Sequence, residues 1–180
     1  MISPAPAGGD TALGARILKV NHAGENGAVN IYAGQLRLAR WTAPELVAEL
    51  AHFKSHEEGH RAIFWAELQR RGRPRCKSYL LCGLGGYVLG LLTGLLGRHA
   101  ISATTVAVER VVLGHLKQQL SVLSGQDEAA VRAIRQIVVE EQQHHDQSAS
   151  HMEAGRFWPS VLSPIVSSST EAVIWLGMKL

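Results

Sequence analysis

Helix signals dominate the pattern of apolar and polar positions along this chain, and no segment alternates in the manner of a convincing β-strand. Turn and capping residues divide the pattern into segments. We predict a first helix that Asp10 caps and that runs to about Arg40. Thr42-Ala-Pro-Glu45 resembles a capping box with a proline in the first turn, so it predicts a second helix, which stops near Gly72 and Pro74.

The rest of the chain predicts further helices. Residues 78–123 carry no proline and predict one long helix or two. Ser124-Gly-Gln-Asp127 restarts the chain into another helix that ends near Gly155 and Pro159, and Ser163-Pro164 predicts the start of a last, short helix. Short turns between helices favour an antiparallel bundle, so we expect an all-α fold.

Length and composition favour one domain with an excess of apolar residues. The chain has 180 residues, of which 46% are apolar and 18% charged, and its net charge is +3. We expect a disordered lead at residues 1–10 and one domain at residues 11–180. The N-terminus lacks the basic start and apolar stretch of a signal peptide. Cys76 and Cys82 match neither a zinc knuckle nor a CxxC redox pair, which favours a reducing compartment.

Two adjoining segments are unusual. A basic run contains five cations, which are Arg70, Arg71, Arg73, Arg75 and Lys77. The next twenty residues, 78–97, carry no charge and are long enough to span a bilayer. Five of their six glycines, at positions 83, 86, 90, 94 and 97, would form one seam of small residues on a helix. Such a seam admits either a long lipid tail or the backbone of a neighbouring helix, and both interpretations stay open.

The motif Glu-x-x-His occurs twice, as Glu57-Glu-Gly-His60 and as Glu141-Gln-Gln-His144. Residues three apart share a helix face, so each pair can bind one metal ion. A single glutamate precedes each motif by 32 residues, Glu25 in the first case and Glu109 in the second, and the two sets are 84 residues apart. This spacing indicates a duplicated pair of helices.

Four carboxylates that converge in an apolar core repel one another and lose hydration, which costs several kcal/mol per unpaired charge. Two divalent cations would balance them. Carboxylates and imidazoles together suit iron or manganese better than structural zinc, and this pattern is that of ferritin-like di-iron carboxylate proteins. We therefore predict a ferritin-like antiparallel four-helix bundle with an additional short C-terminal helix. Its two iron ions would be bound by Glu25, Glu57, His60, Glu109, Glu141 and His144.

Four stretches of the chain resemble the demethoxyubiquinone hydroxylases, which are di-iron monooxygenases of ubiquinone biosynthesis. The resemblance covers roughly residues 16–150. It is carried by His22-Ala-Gly-Glu25 with Gly27-Ala28, Ile31-Tyr-Ala-Gly-Gln35, Thr105-Val-Ala-Val-Glu109 and Glu140-Glu-Gln-Gln-His-His-Asp146. The resemblance implies that Glu57 and Glu141 bridge the irons, with Glu25 and His60 on one metal and Glu109 and His144 on the other.

The same resemblance implies that dioxygen hydroxylates the ring of a polyprenyl demethoxyubiquinol at a membrane surface. We expect a peripheral protein on the cytoplasmic face of the cell (inner) membrane, either as a homo-oligomer or within a biosynthetic complex. Segment 78–97 should lie at the interface without crossing, because Glu109 follows Gly97 by only twelve residues and must meet the other ligands. Ile174 and Trp175 of the last helix would add a second contact with the membrane.

Several other residues allow more than one interpretation. His115 either lies near the site, in contact with substrate or in proton transfer, or is a satisfied core histidine. His22 could support a ligand from behind. The stripe His52, His56 and His60 could bind zinc alone, but we assign His60 to the di-iron site and the other two to a solvated face. Tyr32 is interpreted as a core residue.

Other functions are compatible with parts of the pattern. A ferritin-like storage protein would share the ligands but needs a soluble surface, which segment 78–97 does not suit. An accessory protein that carries quinone lipid, or a manganese catalase, would also bind metal or lipid. Nucleic acid is not expected as a partner, since the basic run has no interleaved aromatic residues.

Overall fold

The computed structural model describes residues 9–152 and 157–180. Within them six α-helices and no strand are found, so the all-α prediction is confirmed. A 3₁₀ turn, Pro44–Leu46, joins the first two helices. Most of the predicted lead lies outside the described residues, at positions 1–8. The helices are α1 Ala12–Thr42, α2 Val47–Arg70, α3 Tyr79–Leu96, α4 Arg98–Leu123, α5 Glu128–Ser150 and α6 Phe157–Lys179.

Helices α1, α2, α4 and α5 form the predicted four-helix bundle. Two apolar clusters fill it, one on each side of the residues that carry the Glu-x-x-His motifs. The first contains Leu18, Phe64, Leu68, Leu116, Leu123, Ile134 and Ile137. The second contains Tyr32, Leu46, Leu50, Phe53 and Ile101. The glutamates and histidines between these clusters are therefore enclosed by packed side chains above and below.

Capping at both ends of α1 differs from the prediction. Thr11, not Asp10, caps the helix, since its Oγ1 accepts a hydrogen bond from the backbone N–H three residues on, at 2.8 Å. Asp10 instead forms an ion pair with Arg70. Thr42 does not open a capping box, because its hydroxyl donates to the carbonyl of Gly94 in α3 at 2.6 Å. The Thr42 hydroxyl, which the local pattern assigned to a helix cap, therefore makes a tertiary contact with α3 instead.

Helices α5 and α6 confirm one predicted start and contradict another. Helix α5 starts directly after Ser124-Gly-Gln-Asp127, as predicted, and Asp127 caps it by accepting from the Ala130 N–H at 3.1 Å. The expected end near Gly155 lies outside the described residues, and α5 ends at Ser150. The predicted short helix at Ser163-Pro164 is wrong: α6 has 23 residues and contains Pro164 in its interior. Proline usually stands in the first turn of a helix, but α6 continues through Pro164. Packing of Val166 on α4 stabilises the helix there.

Gly97 decides between one helix and two in residues 78–123. Its φ of +84° places it in the left-handed region that glycine adopts without a steric penalty, and there α3 ends and α4 begins. The glycine seam of α3 packs against α1 so closely that a Cβ on Gly86 or Gly90 would collide with the carbonyl oxygen of Gly27 or Ile31. The seam therefore serves contact between two backbones.

The duplication extends to a third helix in each half. Helix α3 follows the first hairpin and packs on α1, while α6 follows the second hairpin and packs on α4. The two halves are thus α1–α2–α3 and α4–α5–α6. Helices α3 and α6 flank the bundle on one side and make little contact with each other.

Candidate metal centre

Each bundle helix contributes to one cluster of buried acids and imidazoles. Helix α1 contributes one glutamate, α4 one glutamate, and α2 and α5 one glutamate and one histidine each. None of these residues is more than 5% exposed. They are Glu25, Glu109, Glu57 with His60, and Glu141 with His144.

Ligand atoms in this cluster fall into two overlapping groups of four residues, and within each group they lie within 4.8 Å of one another. Glu57 and Glu141 belong to both groups. Glu25 and His60 complete the first, and Glu109 and His144 complete the second. The structure thus brings together all six predicted residues, in the two sets that the family resemblance implies.

Both histidines turn Nδ1 towards the acids. His60 Nδ1 lies 3.1 Å from Glu141 Oε1 and 3.4 Å from Glu57 Oε2. His144 Nδ1 lies 3.2 Å from Glu57 Oε1 and 3.7 Å from Glu141 Oε2. Nδ1 is therefore the nitrogen that each ring presents to Glu57 and Glu141, where a metal ion would bind.

Burial and mutual repulsion change the pKa values of the cluster. Burial raises the pKa of the Glu25 and Glu109 carboxyls well above their usual range, and the neighbouring acids raise it further. Burial alone would lower the pKa of His60, but the carboxylates of Glu141 and Glu57 raise it to about 12. Without a cation the cluster must therefore hold protons to balance its charge.

The residues fit a pair of divalent metal ions. Both carboxylate oxygens of Glu57 and of Glu141, and Nδ1 of His60 and of His144, are buried without a hydrogen-bond partner. Unpartnered buried polar atoms are costly, and metal coordination would satisfy all of them at once. Carboxylate oxygen with imidazole nitrogen is a donor set suited to iron or manganese, and no cysteine takes part.

Three further residues touch the cluster from outside. Tyr32 is a core residue, as predicted, and its hydroxyl also donates to Glu109 Oε1 at 3.2 Å. Glu140 accepts from His60 Nε2 at 2.8 Å, a contact that the sequence analysis missed. His56 was assigned to a solvated face, but it is half-buried and its Nδ1 lies 3.0 Å from His144 Nε2.

A cavity of about 470 Å³ opens beside the cluster, between α1, α3, α4 and α6. Its inner end is lined by four acids of the cluster, and its walls are mostly apolar. His115 lies in this wall, half-buried, and bonds to Glu171 of α6 at 2.8 Å. Of its two interpretations, a place in the cavity beside the cluster fits this position, and a core histidine does not.

His22 is not among the residues that line the cavity. Its ring is stacked between Trp65 and Tyr79, with centroids 5.2 Å and 4.8 Å away. Burial lowers its pKa to about 4, and its Nδ1 has no hydrogen-bond partner. Among the hydrogen bonds of the described residues none joins His22 to a ligand, so the predicted supporting role is not seen.

Comparison with known proteins adds an independent line of evidence. The family model described as ubiquinone biosynthesis protein COQ7 matches residues 12–177. A 3-demethoxyubiquinol 3-hydroxylase from Rhodospirillum rubrum is 38% identical over 97% of this chain and 80% of its own length. NADPH-dependent 3-demethoxyubiquinone 3-hydroxylases, named as mitochondrial, are 33% identical in Mus musculus (90% of this chain, 76% of theirs) and in Dictyostelium discoideum (91% and 76%). The chain therefore belongs to the COQ7 family of ubiquinone biosynthesis proteins.

Proposed function

We propose that this chain is a di-iron monooxygenase that hydroxylates the ring of a polyprenyl demethoxyubiquinol. One observation carries the proposal: the apolar cavity ends at the buried cluster of acids and imidazoles. An apolar quinol ring that binds at the inner end of this cavity would therefore lie beside the metals. The names of the relatives give the substrate class and the reaction.

On this proposal residues 11–180 act as one di-iron domain. Glu57 and Glu141 would hold both irons, Glu25 and His60 would hold one of them, and Glu109 and His144 would hold the other. The metals, when bound, would supply the activation of dioxygen. The chain holds them in a site that packed side chains close on both sides, and Tyr32 fixes the Glu109 carboxylate by a hydrogen bond.

The cavity suits a quinol ring with the first part of its tail. Its volume lies within the range of about 300–1,000 Å³ that is typical of small-molecule sites. Apolar side chains such as Ile31, Leu89 and Val108 line it, and His115 and Asn21 add polar groups that could orient the ring. The rest of the tail would leave between α3 and α6.

We further propose that the protein lies on the cytoplasmic face of the cell membrane without crossing it. Among the described residues two helices, α3 and α6, are long and apolar enough to cross a membrane by length and composition alone. The glycine side of α3 and the buried side of α6 pack on the bundle. The outward faces of both helices are apolar and exposed. These faces contain Leu80, Leu81, Leu84, Val88, Leu92 and Leu95 of α3, and Phe157, Ile165, Val173 and Trp175 of α6.

Only part of the basic run is available to lipid headgroups. Arg71 is buried in an ion pair with Asp127, and Arg70 pairs with Glu67. The Arg75 guanidinium stacks over Trp65, 4.7 Å from the ring centroid. The exposed side chains Arg73 and Lys77 remain, so the electrostatic attraction is weaker than five free cations would give.

Iron loading and product analysis together test the function. Apoprotein given ferrous iron without oxygen should bind about two ions per chain, and the loaded protein should convert a demethoxyubiquinol to its hydroxylated product. Glu57→Gln removes one charge from the shared position, so it should bind less iron and lose at least about a hundredfold in turnover. Glu58→Gln, which changes the exposed neighbour, should behave as wild type. Folded wild type with one iron or none, or a fully active Glu57→Gln, would refute the proposed site.

A further inference from the structure

The two ligand imidazoles each make one hydrogen bond on the side away from the cluster. His60 Nε2 lies 2.8 Å from Glu140 Oε2. His144 Nε2 lies 3.0 Å from His56 Nδ1. Each contact joins α2 to α5, and the outer partners are half-exposed while the histidines are buried.

With Nδ1 of each ring bound to metal, these contacts determine where the remaining ring proton lies. A carboxylate only accepts, so His60 Nε2 donates to Glu140, and Nδ1 is the nitrogen left for a metal ion. His144 Nδ1 likewise faces the acids without a hydrogen-bond partner. When Nδ1 of His144 binds metal, as the proposed centre requires, its Nε2–H donates to Nδ1 of His56, which accepts as a neutral imidazole.

The two outer partners occupy equivalent positions in the duplicated chain. The 84-residue offset that relates the two Glu-x-x-His motifs also relates His56 to Glu140, since each directly precedes the first glutamate of its motif. Each reaches across to the ligand histidine of the other copy. The position is thus shared by both halves, but its chemistry differs: one half supplies a carboxylate and the other a neutral ring.

We propose that Glu140 and His56 are positioning residues for the ligand imidazoles of His60 and His144, and that their difference in charge makes the two metal positions unequal. A carboxylate partner makes an imidazole a stronger donor to metal than a neutral partner does. The position served by His60 therefore binds ferrous iron more tightly than the position served by His144. This inference rests on the proposed metal centre.

Anaerobic titration of the apoprotein with ferrous iron tests the inference without any activity assay. Wild type should bind two ions in distinguishable steps. Glu140→Ala should weaken the tighter step by about ten- to a hundredfold, the usual effect of losing such an outer partner. Glu140→Gln keeps an acceptor oxygen and should recover part of the loss. His56→Ala should weaken the other step.

The chain offers a matched control for each variant. Glu58 is an exposed carboxylate on α2 that bonds to Lys54, and His52 is an exposed histidine one turn before His56. Glu58→Ala and His52→Ala should leave both binding steps within about twofold of wild type, because neither side chain bonds to a ligand imidazole within the described part of the chain. Circular dichroism of all variants should match wild type, since the changed side chains are not in the core.

Mössbauer spectra of iron-loaded protein separate positioning from a general loss of stability. Glu140→Ala should alter one quadrupole doublet, and His56→Ala should alter the other. The exchange variant, with His56→Glu and Glu140→His together, should restore two unequal steps. If wild type binds two irons but Glu140→Ala titrates like Glu58→Ala, or both variants change the same doublet, this inference alone is wrong. If wild type does not bind two irons, the proposed centre is wrong and the inference with it.

Discussion

Among single residues outside the cluster of acids and imidazoles, Arg71 and Asp127 form a buried ion pair. The Arg71 guanidinium donates to both Asp127 oxygens, at 2.7 Å and 2.8 Å, and the same carboxylate accepts from the N–H groups of Thr11 and Ala130. The pair therefore ties the start of α1 and of α5 to the end of α2.

Arg71→Gln should lower the free energy of unfolding by about 3 kcal/mol, because it leaves a buried carboxylate without its countercharge. Urea denaturation at neutral pH measures this. Arg70→Gln is the matched control: the side chain of this neighbouring arginine is half exposed, so its loss should leave the free energy of unfolding close to that of wild type. Equal effects of the two substitutions would contradict the assignment of the pair.

The same pair predicts how stability depends on pH. Burial alone would raise the pKa of Asp127, but the Arg71 guanidinium and the backbone N–H groups hold it well below its usual range. The pKa of Asp127 is lower in the folded protein than in the unfolded chain. The ionised carboxylate therefore stabilises the folded state fully above the unfolded pKa of about 4, and this stabilisation is lost as the pH falls towards the folded pKa. The difference between wild type and Arg71→Gln should therefore shrink below about pH 4.

Single residues show both the reach and the limit of sequence reasoning. The six predicted ligands could be found because the sequence alone shows the Glu-x-x-His spacing within a helix and the 84-residue repeat between the two halves. Glu140 and His56 could not be assigned, because a contact between α2 and α5 depends on how two helices are rotated against each other. The 84-residue repeat was the one available signal, since it pairs these two positions with each other.

The seam between α3 and α1 makes a prediction for one element. Gly90→Ala places a methyl group against the carbonyl of Ile31, so it should destabilise the protein by about 1–3 kcal/mol despite alanine's better helix propensity. Gly85→Ala, on the open side of the same helix, meets nothing within 4 Å and should stabilise by about 0.5–1 kcal/mol. Thermal unfolding of both variants gives the comparison. A stabilised Gly90→Ala would mean that the two backbones do not pack as closely as described.

The predicted helix boundaries were right where one residue required a particular backbone conformation. They were wrong where a side chain or a helix face could make either a local or a tertiary contact. Gly97 needs a positive φ, so the break after α3 falls there. Thr42 could cap a helix but bonds to α3 instead. Ser163 precedes a proline that usually opens a helix, yet α6 begins earlier because its inner face packs on α4.

At the scale of the whole molecule, the outward faces of α3 and α6 predict peripheral membrane binding. Wild type should float with liposomes that contain anionic lipid, and less protein should float as salt rises. Changing Leu84 and Leu92 to serine should weaken binding by at least about tenfold, since each exposed leucine is worth about 1.5–3 kcal/mol when buried. Val139→Ser, an equally exposed apolar residue on α5, is the control and should float as wild type.

Charge and topology can be tested on the same surface. Arg73→Gln with Lys77→Gln should reduce the salt-sensitive part of binding, whereas Arg132→Gln with Arg135→Gln on α5 should not. Cysteines placed at positions 74 and 99 should both label from the same side of a sealed vesicle. Labelling from opposite sides would show that α3 crosses the membrane, and the proposed peripheral topology would be wrong.

The duplication divides the proposed ligands between the two halves of the chain in order of synthesis. Glu25, Glu57 and His60 leave the ribosome 84 residues ahead of their counterparts in the second half. Until α5 has emerged, the first hairpin carries two acids and an imidazole that cannot surround a metal pair. On the proposed centre, capture of a metal pair must therefore follow translation of almost the whole bundle, and it would hold the second half of the chain against the first instead of guiding the first half as it folds.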